Sequence, residues 1–448
     1  MTLAMQNEVK KRRRQLLEQL PADAIAIFPA GAEVVRSRDT HYPFRQDSDF
    51  YYLTGITEPE GVLVLIPDAE QQEILFVLPK DPLQEVWHGR RLGADVAKQV
   101  SAVDVVYTRD ELESRLLAFL NGPKSLYVAF DQHPEFEQQL RGYCRRLAAT
   151  PKRAKTAPEA WCDVKPMLHQ MRLVKSAYEQ DQMRKAAQIS AQAMIRGMQS
   201  TTVGRFEYQV AADIEHEFKR QGAAGPAYGI ICGGGENACI LHYTANTDVL
   251  NDGDLLLIDA GAEYAGYAGD ITRTFPVNGR FTAAQRDVYQ VVLDAQEAVI
   301  AAIKPGTTLP HLTDICLREL TQGLLKLGIL QGDLQCLLAD KACRRYFIHG
   351  LGHWLGLDVH DVGRYELEGE ATPLRAGMVF TVEPGLYFAP DDVQVPEAYR
   401  GIGVRIEDDI LMTADGFENL TAAVPKQIEA IEALMAGESA VTQRRAVS

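Results

Sequence analysis

The chain has 448 residues, 46% hydrophobic and 24% charged, with a formal net charge of −15. That length exceeds one ordinary hydrophobic core and implies two or three globular domains, and the acidic balance argues against a nucleic-acid partner, which would want a basic face. Seven scattered cysteines with no CxxC pair argue against a disulfide framework or a thiolate zinc site and suit a reducing compartment. No apolar run approaches the roughly 20 residues that span a membrane, and the basic run Lys10–Arg14 has no apolar stretch behind it to make a secretory leader. A soluble, cytoplasmic protein is expected.

Residues 1–171 read as an α/β domain. A first helix, Gln6–Leu20, is expected to carry the basic run on its exposed face. Strands are expected at Ala24–Phe28, Gly61–Ile66, Glu73–Leu78 and Ser125–Phe130, with helices at Arg109–Leu120 and Pro134–Leu147. Arg36–Gly55 is dense in charge and aromatics, and reads as a long polar loop covering a sheet edge or as the lining of a cleft or interface. Thr150–Pro166 reads as a linker or irregular connection.

The second domain, 172–448, opens with a helix from Ser176 to about Met198, N-capped by Ser176 with Glu179 three residues on, a capping box. A weak internal repeat follows, in which helices near Ala177–Met198 and Glu207–Gln221 correspond to helices near Ala283–Ile303 and Leu312–Leu327, offset by about 105 residues. Two related α/β halves, with strands meeting at the centre, are expected. Lys426–Met435 reads as a final short helix, and the last ten residues as disordered.

Within this domain, ionisable residues recur where apolar ones would be cheaper. Leu255–Ile258 reads as a buried strand ended by Asp259, with Asp270 eleven residues on. On one strand that odd separation would put them on opposite faces, but Gly261, Gly266 and Gly269 suggest a turn that brings both carboxylates together. His242 follows an apolar run after Gly233–Gly235. HGLGHWLGLDVHDVG holds His349, His353 and His360 in an expected irregular loop, since its glycines make a regular helix improbable. Val379–Val382 reads as a strand ended by Glu383, and in GIGVRIEDDI Arg405 and Glu407 share one face. Carboxylates ending buried strands are costly unless paired.

Four such carboxylates with an imidazole suit Mn²⁺, Co²⁺ or Mg²⁺ better than a structural zinc. Five ligands are too many for one open ion but fit two that share a hydroxide, a hydrolase's equipment. HExxH, GxSxG and Walker A patterns are absent.

The order of these motifs resembles that of the metal-dependent aminopeptidases of the pita-bread fold. HGLGHWLGLDVHDVG, together with RSRDTHYPFRQDSDFYYLTG in the first domain, resembles the aminopeptidase P family over nearly the whole chain. The resemblance implies an α+β protein: a creatinase-like N-terminal domain, 1–171, and a pita-bread catalytic domain of two related halves, 172–448. It further implies that Asp259, Asp270, His353, Glu383 and Glu407 hold two Mn²⁺ ions, with Asp270 and Glu407 bridging. Glu383 would also move protons, His242, His349 and His360 would position the substrate, and Arg405 would orient the carboxylates. The substrates would be peptides with proline in second position. A prolidase restricted to dipeptides is the near alternative, and a non-catalytic pita-bread binding protein a remoter one. A dimer or tetramer is implied, in which Trp87 either caps a neighbouring subunit's pocket or is simply packed at an interface.

Overall fold

The computed structural model describes residues 2–149 and 155–437. The chain divides into two compact units, Met1–Met171 and Arg172–Ser448. Residues 150–154 of the expected linker and the last ten residues lie outside the described ones.

The first unit begins with helix α1 (Leu3–Leu17) and strand β1 (Ala24–Pro29), followed by α2 (Ser48–Thr54), β2 (Val62–Leu65), β3 (Glu73–Val77) and β4 (Val105–Thr108). Helix α3 (Leu112–Phe119), β5 (Ser125–Val128), α4 (Pro134–Ala148) and β6 (Ala160–Asp163) follow. The strands form one mixed sheet in the order β4-β3-β2-β1-β5-β6. Runs such as Val62–Leu65 are buried at every position, as in a sheet covered on both faces.

Three expectations fail here, each because tertiary packing claims residues that look solvated. Arg12 and Arg13 are not an exposed face: they are 1% and 0% exposed. Arg13 Nε donates to Glu73 at 2.9 Å and its other nitrogens to the carbonyls of Leu53 and Ser101, while Arg12 lies 4.0 Å over the Tyr52 ring. The charged stretch Arg36–Gly55 is not a plain loop, for Asp47 caps α2 and sends Phe50, Tyr52 and Leu53 into the interior. The supposed linker contains β6, which pairs parallel to β5.

In the second unit, α5 (Ala177–Ser200) starts at the expected Ser176–Glu179 capping box and packs against α6 (Glu207–Arg220). Strands β7 (Ile231–Gly234), β8 (Leu255–Asp259) and β9 (Thr272–Pro276) follow as one antiparallel sheet in that order. The pattern then repeats. Helix α7 (Ala283–Ala302), with its own Thr282–Gln285 capping box, packs against α8 (Leu309–Lys326). Next come β10 (Val379–Val382), β11 (Gly385–Tyr387), β12 (Gly403–Arg405), β13 (Asp408–Met412) and β14 (Phe417–Asn419). Strands β10, β13 and β14 form the second antiparallel sheet, and β11 pairs with β12. Both helix pairs feed one core, in which Met194, Ile214 and Phe218 join Val292, Leu320 and Leu324. The sheets meet where the Glu407 N–H donates to the Thr272 carbonyl at 3.1 Å.

The glycine-rich turn behaves as expected. Asp259 on β8 faces Thr272 on β9, and Tyr264 pairs with Tyr267 across Ala265 and Gly266, whose φ values of 50° and 82° make a tight hairpin turn. At its base the backbones nearly touch, and a Cβ on Gly261 would fall 1.6 Å from the Gly269 carbonyl oxygen.

One buried ion pair locks the junction of the two sheets. Arg273 and Asp408 are both 0% exposed, with Nη2 2.7 Å from Oδ1. Arg273 also donates to the carbonyls of Thr272, Glu407 and Val424, and Lys426 meets the other Asp408 oxygen at 2.8 Å. Arg273→Met leaves Asp408 with Lys426 as its remaining cation and takes the donor from three carbonyls, and is expected to lower the unfolding free energy in urea by about 2–3 kcal/mol. A loss below about 1 kcal/mol would place the pair with ordinary surface bridges. Burial alone would raise the Asp408 carboxyl, but Arg273 and Lys426 outweigh it and hold it well below its usual range. A depressed carboxyl stabilises the fold above its unfolded pKa of about 4 and loses that contribution as pH falls toward its folded value. Urea unfolding of Asp408→Asn is therefore expected to depend less steeply on pH below that point than the parent does.

Candidate active site

The nine side chains singled out in the second domain line one cavity of about 610 Å³: Asp259, Asp270, His353, Glu383, Glu407, His242, His349, His360 and Arg405. Trp87, on helix Pro82–His88 of the first unit, is 82% exposed.

The carboxylates arrive from strand ends. Asp259 closes β8, Asp270 precedes β9, Glu383 follows β10, and Glu407 sits between β12 and β13. Ligand atoms of Asp270, His353 and Glu407 lie within 4.8 Å of one another, a group able to hold a metal ion. The Tyr228 hydroxyl sits between the two aspartates, 2.6 Å from Asp259 Oδ1 and also against Asp270 Oδ1. His353 Nε2 is 3.5 Å from Asp270 and 3.7 Å from Glu383.

Arg405 and Glu407 are not a surface pair, being 3% and 2% exposed, and they do not bind each other directly. Arg405 Nη2 donates to Asp259 at 2.6 Å, Nη1 to the Tyr387 hydroxyl at 3.0 Å, and Nε to the Thr272 hydroxyl at 3.2 Å. Thr272 in turn donates to Glu407 at 2.7 Å. One guanidinium thus anchors the site's two halves, binding Asp259 directly and Glu407 through a hydroxyl.

The histidine loop is irregular, as expected, and docks on β10. The Thr381 N–H donates to the His353 carbonyl at 3.0 Å, and a Cβ on Gly352 would fall 1.9 Å from the Thr381 carbonyl oxygen, so only glycine admits this approach. His353 Nδ1 lies 3.0 Å from the Trp354 carbonyl, which can only accept. Nδ1 therefore carries a hydrogen, and Nε2 is turned toward two carboxylates. His349 uses the same device on the Gly350 carbonyl at 2.8 Å, and its Nε2 accepts from the Tyr387 hydroxyl at 2.8 Å. The His360 ring packs edge-on against His353, centroids 4.4 Å apart.

The electrostatics follow. Burial, with repulsion from Asp270, Glu383 and Asp259, pushes Glu407 well above the usual carboxylate range. Burial lifts Asp259 despite the attraction of Arg405, and lifts Glu383 to about 7 despite His353. Burial opposes the His353 imidazolium, yet the hydrogen bond and charge of Asp270, with Glu383, carry it up to about 9. His349, desolvated and facing Arg405, falls to about 3, and His360 is lowered by burial and by His353. Anions crowded in this way demand a proton or a cation among them.

Tyr228, Thr272 and Tyr387 complete the hydrogen-bonding and were not singled out in the sequence. Thr272 and Tyr387 stand inside the motifs that carry Asp270 and Glu383. Tyr228 has only its neighbour Gly229 to mark it.

Comparisons with known proteins agree with this architecture. Residues 181–414 match the model of metallopeptidase family M24, and residues 9–127 that of the aminopeptidase P N-terminal domain. The Xaa-Pro aminopeptidase of Escherichia coli is 49% identical over 430 residues, covering 96% of this chain and 97% of that protein. The structure of Pseudomonas aeruginosa aminopeptidase PepP superposes with a TM-score of 0.95 at 43% identity, covering 97% of this chain and 98% of the other. Zn-substituted E. coli aminopeptidase P in complex with product gives 0.94 at 48% identity, covering 97% and 99%. A chain whose two sheet ends bring these side chains to one cavity, and whose likeness to these proteins runs nearly end to end, belongs to metallopeptidase family M24, with an aminopeptidase P N-terminal domain ahead of a pita-bread domain.

Proposed function

We propose that this protein is an Xaa-Pro aminopeptidase, releasing the first residue of peptides whose second residue is proline. The carrying observation is the cavity, where four carboxylates and His353 crowd one space in a chain 49% identical over 96% of its length to an enzyme of that activity.

The donor set fits a pair of divalent cations. Oxygen donors predominate, their anions repel, and the one imidazole among them turns Nε2 toward Asp270 and Glu383. In this reading Asp259, Asp270, His353, Glu383 and Glu407 would hold the pair, with Asp270 and Glu407 shared between the two ions, and hard oxygens with a single nitrogen would favour Mn²⁺. When bound, the ions polarise the scissile carbonyl and acidify an attacking water.

The protein's own groups do the rest. The scissile bond runs to a prolyl nitrogen, a tertiary amide without an N–H, and as in any amide hydrolysis the leaving nitrogen must gain a proton when that bond breaks. Glu383, on the cavity wall beside His353, takes a proton from water and helps to deliver one to that nitrogen. Arg405 keeps Asp259 oriented, and His242, His349 and His360 position the substrate and stabilise its tetrahedral oxygen. The acidic wall receives the substrate's α-ammonium, which confines cleavage to the first residue. Residues 1–171 act as a creatinase-like domain and 172–448 as the catalytic domain of a cytoplasmic homo-oligomer, dimer or tetramer. Seven unpaired cysteines and the exposed Trp87 support that setting.

With Mn²⁺ present, Arg-Pro-Pro is expected to lose its arginine, and release of products from an Xaa-Pro dipeptide alone would make the enzyme a prolidase. Asp270→Asn and Glu407→Ala are each expected to bind fewer Mn²⁺ ions by elemental analysis. Each should also lose more turnover than the about ten- to hundredfold typical of a partner behind a metal ligand. Near-parental turnover in either variant would remove that residue from the site.

A further inference from the structure

His242 reaches the cavity on a segment that has almost no regular structure of its own. The chain leaves β7 at Gly234, makes one short 3₁₀ turn (Gly235–Cys239), lines the cavity with Leu241, His242 and Thr244, and returns at Asp248. Residues 240–248 contain neither helix nor strand. Something other than a ladder must hold them in place.

The side chain at the middle of this excursion is Glu207, the first residue of α6, which is 0% exposed. Its Oε1 accepts the Gly234 N–H at 2.8 Å and the Asn237 side-chain amide at 3.1 Å. Its Oε2 accepts the Tyr243 hydroxyl at 2.8 Å and the Asp248 N–H at 2.9 Å. One carboxylate therefore ties the departing end, the returning end and the residue next to His242. The Glu207 N–H donates to the Asp248 carbonyl at 3.0 Å, closing the loop at the backbone as well. All four groups on the carboxylate are neutral donors, so the anion is held by hydrogen bonds rather than by an opposing charge.

We propose that Glu207 is a positioning residue for peptide hydrolysis, acting through residues 234–248 to hold His242 against the substrate. This rests on the reading of His242 as a substrate-positioning group. Glutamine at 207 keeps the shape but replaces one acceptor oxygen with an amide that donates. Tyr243 can rotate to accept from that amide, whereas the Asp248 N–H loses its partner. The excursion loosens at its returning end, and a displacement of this kind next to reacting groups costs up to about a hundredfold in rate.

The test compares Glu207→Gln, His242→Ala and the double variant, each loaded with Mn²⁺. It measures kcat and KM on Arg-Pro-Pro, Mn²⁺ content, and urea midpoint. Glu207→Gln is expected to lower kcat/KM by about ten- to a hundredfold while binding as much Mn²⁺ as the parent. The double variant is expected to be no slower than His242→Ala alone, because both changes remove the same contribution. Full additivity, a loss of Mn²⁺, or unchanged kinetics in Glu207→Gln would overturn the proposal. Unchanged kinetics in His242→Ala would instead refute the role given to His242 itself. If Glu207→Gln does not fold, Tyr243→Phe removes a single hydroxyl from the clasp. A smaller loss that vanishes in the His242→Ala background supports Glu207, and an unchanged or additive result counts against it.

Discussion

Like charges held together in a poorly solvated space are the constraint on which the rest of this molecule depends. Asp259, Asp270, Glu383 and Glu407 would separate if their backbones could move, since each raises the cost of ionising its neighbours. They cannot move, because each stands at or beside the end of a strand whose other residues are locked in the shared core. The two sheets converge on the cavity from opposite halves, and the buried Arg273–Asp408 pair fastens them next to it. Packing energy gathered over two helix pairs is thus spent at a single point, to keep anions at a separation that only a proton or a cation relieves.

Two histidines four residues apart show how small differences at that point are amplified. His349 and His353 each give their Nδ1 hydrogen to the carbonyl of the following residue, so both turn Nε2 inward. One, desolvated by burial, then faces the Tyr387 hydroxyl and, beyond it, Arg405, and its pKa drops to about 3. The other faces Asp270 and Glu383, and its pKa climbs to about 9. The backbone device is the same, and the charge across the gap decides the outcome.

The carboxylates and histidines were legible in the sequence because each interrupts a pattern: an acid ends an apolar run, or imidazoles cluster among glycines. The glycine turn between Asp259 and Asp270 could be read for a similar reason, since the close approach of Gly261 and Gly269 excludes any side chain. Tyr228 could not, because a tyrosine is unremarkable locally and its partners lie 31 and 42 residues away. Arg12 and Arg13 misled for the converse reason. A basic run suggests solvent, yet here Glu73, Tyr52 and backbone carbonyls from other elements receive it. Periodicity reports the faces of an element, and says nothing of polar groups waiting for it elsewhere in the fold.

The hairpin that joins the two aspartates carries a further consequence. Its strands are in register from Leu255–Pro276 up to Asp259–Thr272, and its turn is the shortest that can close them. Side chains alternate between faces along a strand, so a one-residue register slip caused by an insertion or deletion between 260 and 269 would turn Asp270 and the apolar residues of β9 to the opposite face together. At the tip Tyr267 is buried and its hydroxyl donates to Glu179 at 3.1 Å, so the far end of the hairpin is pinned as well as its base. With both ends fixed, the number of residues between the two aspartates is fixed too, and this stretch of chain acts as a ruler.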